Sequence, residues 1–171
     1  MGRPASSRAP APPTDAETRA TTDHHAALRV WLRMLATTTL IEGHVRGLLQ
    51  SGYDTTLPRF DLMAQLERAP AGLQMGELSR RMMVTGGNVT GITDLLERDG
   101  LVARAADPDD RRALRVRLTA AGRKAFRAMA EAHEKWIVEA LGPLDREELA
   151  TLATLLAQVR THVRTKYGER P

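Results

Sequence analysis

The sequence predicts a mostly helical α+β domain in which two short helices run directly into a basic two-stranded ribbon, framed by longer helices. Three observations carry this. Apolar residues recur at three- and four-residue steps through most of the chain, the period drops to two between Leu114 and Leu118, and glycine or proline stands at most changes of pattern. At 171 residues the chain suits one ordinary domain, and 42% apolar content with 4% aromatics makes its core aliphatic.

Residues 1–22 are rich in Pro, Ala, Ser and Arg with nothing to bury, and read as a disordered arm ahead of a domain spanning 23–171. Asp15, Glu17 and the lack of an amphipathic stripe argue against a transit peptide. From Asp23, Leu28, Trp31, Leu32, Leu35, Leu40, Val45, Leu48 and Leu49 fall along one side of a first long helix, bent near Gly43 and ending near Gly52. Thr55-Thr56-Leu57-Pro58 offers a capping threonine and a proline in the first turn of a second helix, which turns Phe60, Met63 and Leu66 inward and stops near Ala69-Pro70. A short helix over 76–83 places Leu78 and Met82 on one side. A turn through Val84-Thr85-Gly86-Gly87 then leads to a helix over 88–99 with Val89, Ile92, Leu95 and Leu96 together, ended by a left-handed Gly100.

Leu114, Val116 and Leu118 alternate with Arg115 and Arg117, the pattern of a half-buried strand with a basic outer face. Leu101–Arg104 is its partner, and Asp107-Pro108 starts the turn between them. Thr119 caps a helix running to Leu141, broken by Gly142-Pro143. Asp145 and Glu148 have capping-box spacing for a last helix with Leu149, Leu152, Leu155, Leu156, Val159 and Val163 on one side.

A tight helix pair followed by a basic hairpin is the winged helix-turn-helix arrangement, whose second helix fits a DNA major groove while the hairpin reaches the backbone or minor groove. From Arg80 to Lys124 ten basic residues face six acidic ones, so this stretch carries +4, equal to the formal charge of the whole chain. The second helix opposes its apolar side with Gly87, Thr90, Gly91, Asp94 and Arg98. Its small residues allow backbone approach, Asn88 suits a purine edge, and Thr90 suits a base or a thymine methyl. The alternative for this turn is purely structural, with Thr85 capping and Gly86-Gly87 shaping a loop.

In this context LLERDGLVAR, the Asp110-Arg111-Arg112 tip and the LTAAG junction of strand and helix resemble the MarR family of transcriptional regulators over roughly residues 25–165. The resemblance implies a winged-helix lobe over about 55–122 and a homodimer held by helices over 23–52 and 119–166. It also implies wing Arg112 in the minor groove with Asp110 holding it, and an effector pocket where the dimerisation helices meet the lobe. Arg80, Thr85, Gly87, Asn88, Thr90, Gly91, Arg104, Asp110, Arg111 and Arg112 become the candidate contacts to double-stranded DNA. Gly91 departs from the basic residue many members have there, which shifts readout towards Asn88, Thr90 and the wing. The terminal helices are apolar over lengths one lobe cannot cover, which favours a homodimer over a monomeric bundle and suits a pseudo-palindromic operator.

DTTLPRFDLMAQLERAP and TGGNVTG are similar to members that answer hydroxycinnamoyl-CoA thioesters. The expected function is a ligand-responsive repressor of an aromatic-acid or stress-response operon, released by a phenolic acid or its acyl-CoA. Arg29, Arg33, His44, Arg46 and Arg59 are candidates to bind a carboxylate or CoA phosphates, with Trp31, Phe60 and Met63 lining an acyl pocket; a solvated face and core packing are the competing readings. A protein-docking winged helix and an acyl-CoA-handling enzyme are rivals, the first separated by Arg112→Ala and Asn88→Ala and the second by thioester turnover.

Zero cysteines remove thiolate chemistry. His24, His25, His44, His133 and His162 lack metal-site spacing, and no catalytic or nucleotide-binding motif occurs, so neither an enzyme nor a metal or other cofactor is expected. No stretch is long and apolar enough for a membrane, which together with the missing thiols suits the cytoplasm.

Overall fold

A computed structural model describes residues 25–107 and 113–168, so the arm at 1–22 lies outside the described residues, as does the wing tip. The chain divides into two compact units at Gly43/His44. The first helix, α1 (Ala26–Tyr53), runs through that boundary without an irregular residue at Gly43. Its N-terminal part leaves Leu28, Val30, Trp31, Leu35 and Leu40 exposed; in the second unit Val45 and Leu49 are buried.

The second unit follows the expected order: α2 (Leu57–Glu67), β1 (Leu73–Gln74), α3 (Met75–Met82), α4 (Gly86–Arg98), β2 (Val102–Ala106), β3 (Leu114–Leu118), α5 (Ala120–Ala140) and α6 (Arg146–Tyr167). Helix α2 sits at its centre, packed on α3, α4, α5 and β3. Phe60, Leu62, Met63 and Leu66 are all buried, each contributing about 1.5–3 kcal/mol by leaving water. Pro58 occupies the first turn, but the Thr56 side chain makes no cap bond, so the helix start rests on proline's fixed φ.

Strand β1 is too short to leave a periodic signal and was not expected. It pairs antiparallel with β3, Leu73 opposite Val116, giving a sheet of order β1-β3-β2. In the hairpin Val102 opposes Leu118 and Arg104 opposes Val116, with Val102, Val116 and Leu118 inward and Leu114 half exposed at the open end.

The helix-turn-helix joint differs in detail from the sequence reading. α4 starts two residues early, so Gly86 and Gly87 form its first turn rather than a loop. The chain reverses instead at Met83, a left-handed residue with φ 55° whose side chain is 90% exposed. The inward face of α4 is Val89, Thr93 and Leu96, and Leu95 is exposed. Thr93 becomes tolerable inside because its hydroxyl donates to the Val89 carbonyl at 2.7 Å. Gly100 has φ 71°, as its position after the last turn demands.

The junction of β3 and α5 is a lock. The Thr119 hydroxyl donates to the Gly100 carbonyl at 2.7 Å and accepts from the Gly122 N–H at 2.9 Å. A Cβ at Gly122 would stand 1.9 Å from the Leu101 carbonyl oxygen, so no side chain fits. At the start of α6 the Asp145/Glu148 capping box is complete, yet α6 buries no residue along its whole length.

Candidate nucleic-acid interface and effector cleft

On α4, Gly86, Gly87, Asn88, Thr90, Gly91, Asp94, Leu95 and Arg98 are exposed, so the small-residue face at the helix start is open, as the spacing implies. No atom lies within 4 Å of where a Cβ would stand at Gly87 or Gly91. Thr85 is the N-cap in extended conformation without a side-chain cap bond, which leaves its hydroxyl uncommitted to the helix. Thr90 is partly committed: its hydroxyl donates to the Gly86 carbonyl at 3.0 Å, leaving the methyl and an acceptor lone pair outward. Arg80 is exposed on α3, whereas Arg81 pairs with Glu77 one turn away.

Arg104, expected among the DNA contacts, is clamped by Asp94 and Glu97 of α4, and its own backbone N–H donates to Glu97 at 3.1 Å. Burial works against its charge, but the hydrogen bonds and attraction of the two carboxylates outweigh it and hold the guanidinium pKa above its ordinary value. Arg104 therefore ties β2 to α4 and neutralises both acids.

Arg115 is likewise not part of a free basic face. Its Nε and Nη2 donate to the Asp107 carboxylate at 3.0 and 2.8 Å, and its Nη1 donates to the Gly72 carbonyl at 3.2 Å. Gln74 donates to the same carboxylate at 2.8 Å, and the Asp107 side chain is 0% exposed. This cluster bolts the loop end of the hairpin to β1, just before the helix pair. Sequence reading missed it because Asp107 looks like an ordinary turn residue ahead of Pro108. Asp110, Arg111 and Arg112 lie outside the described residues.

Within the second unit the expected effector residues take different roles. Phe60 and Met63 are core: Phe60 stacks on Phe126 at 5.4 Å and lies against His133 at 5.0 Å, and Met63 is fully buried. Arg29, Trp31 and Arg33 belong to the first unit, where Trp31 is 54% exposed, and His44 and Arg46 are exposed on α1. Arg59 borders a cleft of about 390 Å³, lined also by Tyr53, Asp54, Thr55, Asp99, Leu101, Ala125, Ala128 and Met129. Local periodicity could not find this set, since it gathers the end of α1, the start of α2, the C-cap of α4 and one face of α5. The Tyr53 hydroxyl donates to the Ala128 carbonyl at 3.1 Å, and its ring meets Trp136 edge-on at 6.4 Å. Arg59 pairs with Asp99 through Nη2, and its buried Nε has no hydrogen-bond partner.

Among the described residues no three potential metal ligands come together, and no helix is long and apolar enough to cross a membrane.

The MarR family model matches residues 53–113, from the cleft's first residue to the hairpin. Over 122 residues the chain is 30% identical to the uncharacterized HTH-type transcriptional regulator YkoM of Bacillus subtilis, covering 71% of this chain and 77% of that protein. The chain belongs to the MarR family. As a MarR-family chain it is a helix-turn-helix transcriptional regulator, not an enzyme. A MarR regulator from Silicibacter pomeroyi superposes with a TM-score of 0.71 at 31% identity, over 84% of this chain and 99% of that one. Sco3205, a MarR regulator from Streptomyces coelicolor solved in complex with DNA, shares the fold with a TM-score of 0.73 at 24% identity, over 84% and 91% of the two chains. A 60-residue match, 40% identical, to the transcriptional activatory protein BadR of Rhodopseudomonas palustris spans 35% of this chain and about a third, 34%, of that protein.

Proposed function

We propose that this MarR-family chain is a homodimeric repressor that binds a pseudo-palindromic operator and leaves it when a small aromatic acid enters the cleft. The observation that carries the reading is the open start of α4, where the N–H groups of Gly86, Gly87 and Asn88 and the Asn88 amide are free to meet DNA, with Thr90 and Gly91 exposed just beyond. Arg80 and Thr85 would add backbone contacts from the same edge, and Asp110, Arg111 and Arg112 would carry the wing to the flanking groove. Arg104 acts behind this surface as a counter-ion.

Dimerisation is supported by two apolar stripes that their own units leave uncovered: Leu28, Trp31 and Leu35 on α1, and Leu152, Leu155, Leu156 and Val159 on α6. Two lobes so joined would meet half-sites one helical turn apart. The cleft supports the effector reading, since its size suits a single ring with a carboxylate on Arg59; the CoA part of a thioester would have to extend outside it. An operator target places the action in the cytoplasm, and aromatic-acid breakdown or stress response is the regulated process that fits such an effector.

Gel-shift titration against the chain's own promoter region is the test. We expect site-specific binding that weakens steeply with salt, with log K falling by about 0.9 per phosphate neutralised. Binding indifferent to both sequence and salt would overturn the reading.

A further inference from the structure

Arg59 and Asp99 join the cleft to the recognition helix by a bond that a carboxylate can replace. Asp99 is the C-cap of α4, its N–H donating to the Glu97 and Leu95 carbonyls. The next two residues are gripped from the other side, where Thr119 bonds to the Gly100 carbonyl and Gly122 packs on Leu101. The C-terminal end of α4 is thus held at three points: the start of α5, Arg104 of β2 on Glu97, and Arg59 on the first turn of α2, whose ion pair with Asp99 lines the cleft. Leu101, beside this joint, forms part of the cleft wall.

The pair is used incompletely. A guanidinium presents Nε and Nη2 as a parallel fork matched to two carboxylate oxygens, but Asp99 engages Nη2 alone, and Nε is buried without a partner. The Asp99 side chain is 46% exposed, so water can take it if it is displaced; Arg59, at 16%, stays in the cleft. Around Arg59 the walls are apolar and aromatic: Tyr53, Leu101, Ala125, Ala128 and Met129. The other acid there, Asp54, accepts from Gln50 at 3.0 Å.

We propose that an aromatic carboxylate entering this cleft takes both fork positions of Arg59, displaces Asp99, and so releases the ionic hold of α2 on the C-terminal end of the recognition helix. The exchange trades one carboxylate for another on the same cation, so ring burial supplies the affinity and the second hydrogen bond decides the competition. This rests on the operator-binding reading for its consequence, but the exchange itself is measurable without DNA.

The experiment uses the full chain, with 4-hydroxycinnamate as the probe and its neutral carboxamide as control, followed by calorimetry on DNA-free protein and by operator titration. We expect the acid to bind and the amide to bind at least about tenfold more weakly. Asp99→Asn, which removes the competing charge at constant shape, should bind the acid about tenfold more tightly. By reciprocity it should also lose operator affinity by a similar factor before any ligand is added and respond little to ligand thereafter. Arg59→Gln should lose the acid selectively over the amide while keeping the wild-type helical spectrum.

Equal binding of acid and amide, no binding of the acid at millimolar concentration, or an Asp99→Asn variant that behaves as wild type in both titrations would each overturn the exchange. Wild-type protein that binds the acid as described yet never binds its promoter would overturn the operator reading and leave the exchange standing.

Discussion

Single residues set hard limits on this fold. Gly122 is the strictest: the Leu101 carbonyl oxygen occupies the space a methyl would need, 1.9 Å away, and backbone on both sides is fixed by Thr119. Gly122→Ala is expected to cost about 3 kcal/mol, since the overlap is with backbone rather than a movable side-chain tip; urea denaturation reads this directly. Met83 is the opposite case. Its left-handed backbone at φ 55° costs roughly 1 kcal/mol in an L-residue, and its side chain contributes little packing at 90% exposure. Met83→Gly should therefore raise the unfolding midpoint, and a fall would show that the Met83 side chain holds the turn by contact.

Among elements, ion pairs decide how the wing sits on the recognition helix. Removing a phosphate contact and removing a counter-ion both weaken DNA binding, but only the second can be undone by removing acids. Arg104→Ala leaves Asp94 and Glu97 uncompensated beside the proposed DNA-facing surface. We expect operator affinity to fall at least about tenfold, and adding Asp94→Asn and Glu97→Gln to recover most of it with the wild-type salt slope. A triple variant as weak as the single one would return Arg104 to direct contact. At the other end of the hairpin, Asp107→Asn removes the carboxylate that accepts from Arg115 and Gln74, at an expected cost of about 1–3 kcal/mol. Hydroxyl-radical footprinting of the folded variant should lose protection at the flanks while keeping the centre, because the clamp orients the hairpin and not α4. Uniform loss would make it a stability residue only.

At the scale of the whole molecule, the uncovered stripe of α6 has the largest consequence. Leu155 is 53% exposed with apolar neighbours one turn away on either side. Leu155→Glu is expected to shift the sedimentation of the protein to that of a monomer and to abolish cooperative operator binding while leaving the lobe's helical content intact; a variant that stays dimeric would place the interface elsewhere. The proposed association would also explain how a chain can keep so apolar a helix in water, since the area lost between two copies would replace the core that α6 lacks.

The periodicities of 3.6 and 2, the Asp145/Glu148 cap, the Gly100 stop and the Thr119–Gly122 junction were legible in the chain because each is decided by residues within a few positions of one another, where backbone geometry and local hydrogen bonding act. The short β1, the inward turn of Thr93, the capture of Arg104 and Arg115 by acids, and the cleft around Arg59 were not. They depend on side chains from separate elements brought within 3–4 Å by packing, where a charge finds its partner or a void is left, and sequence spacing carries no measure of that distance.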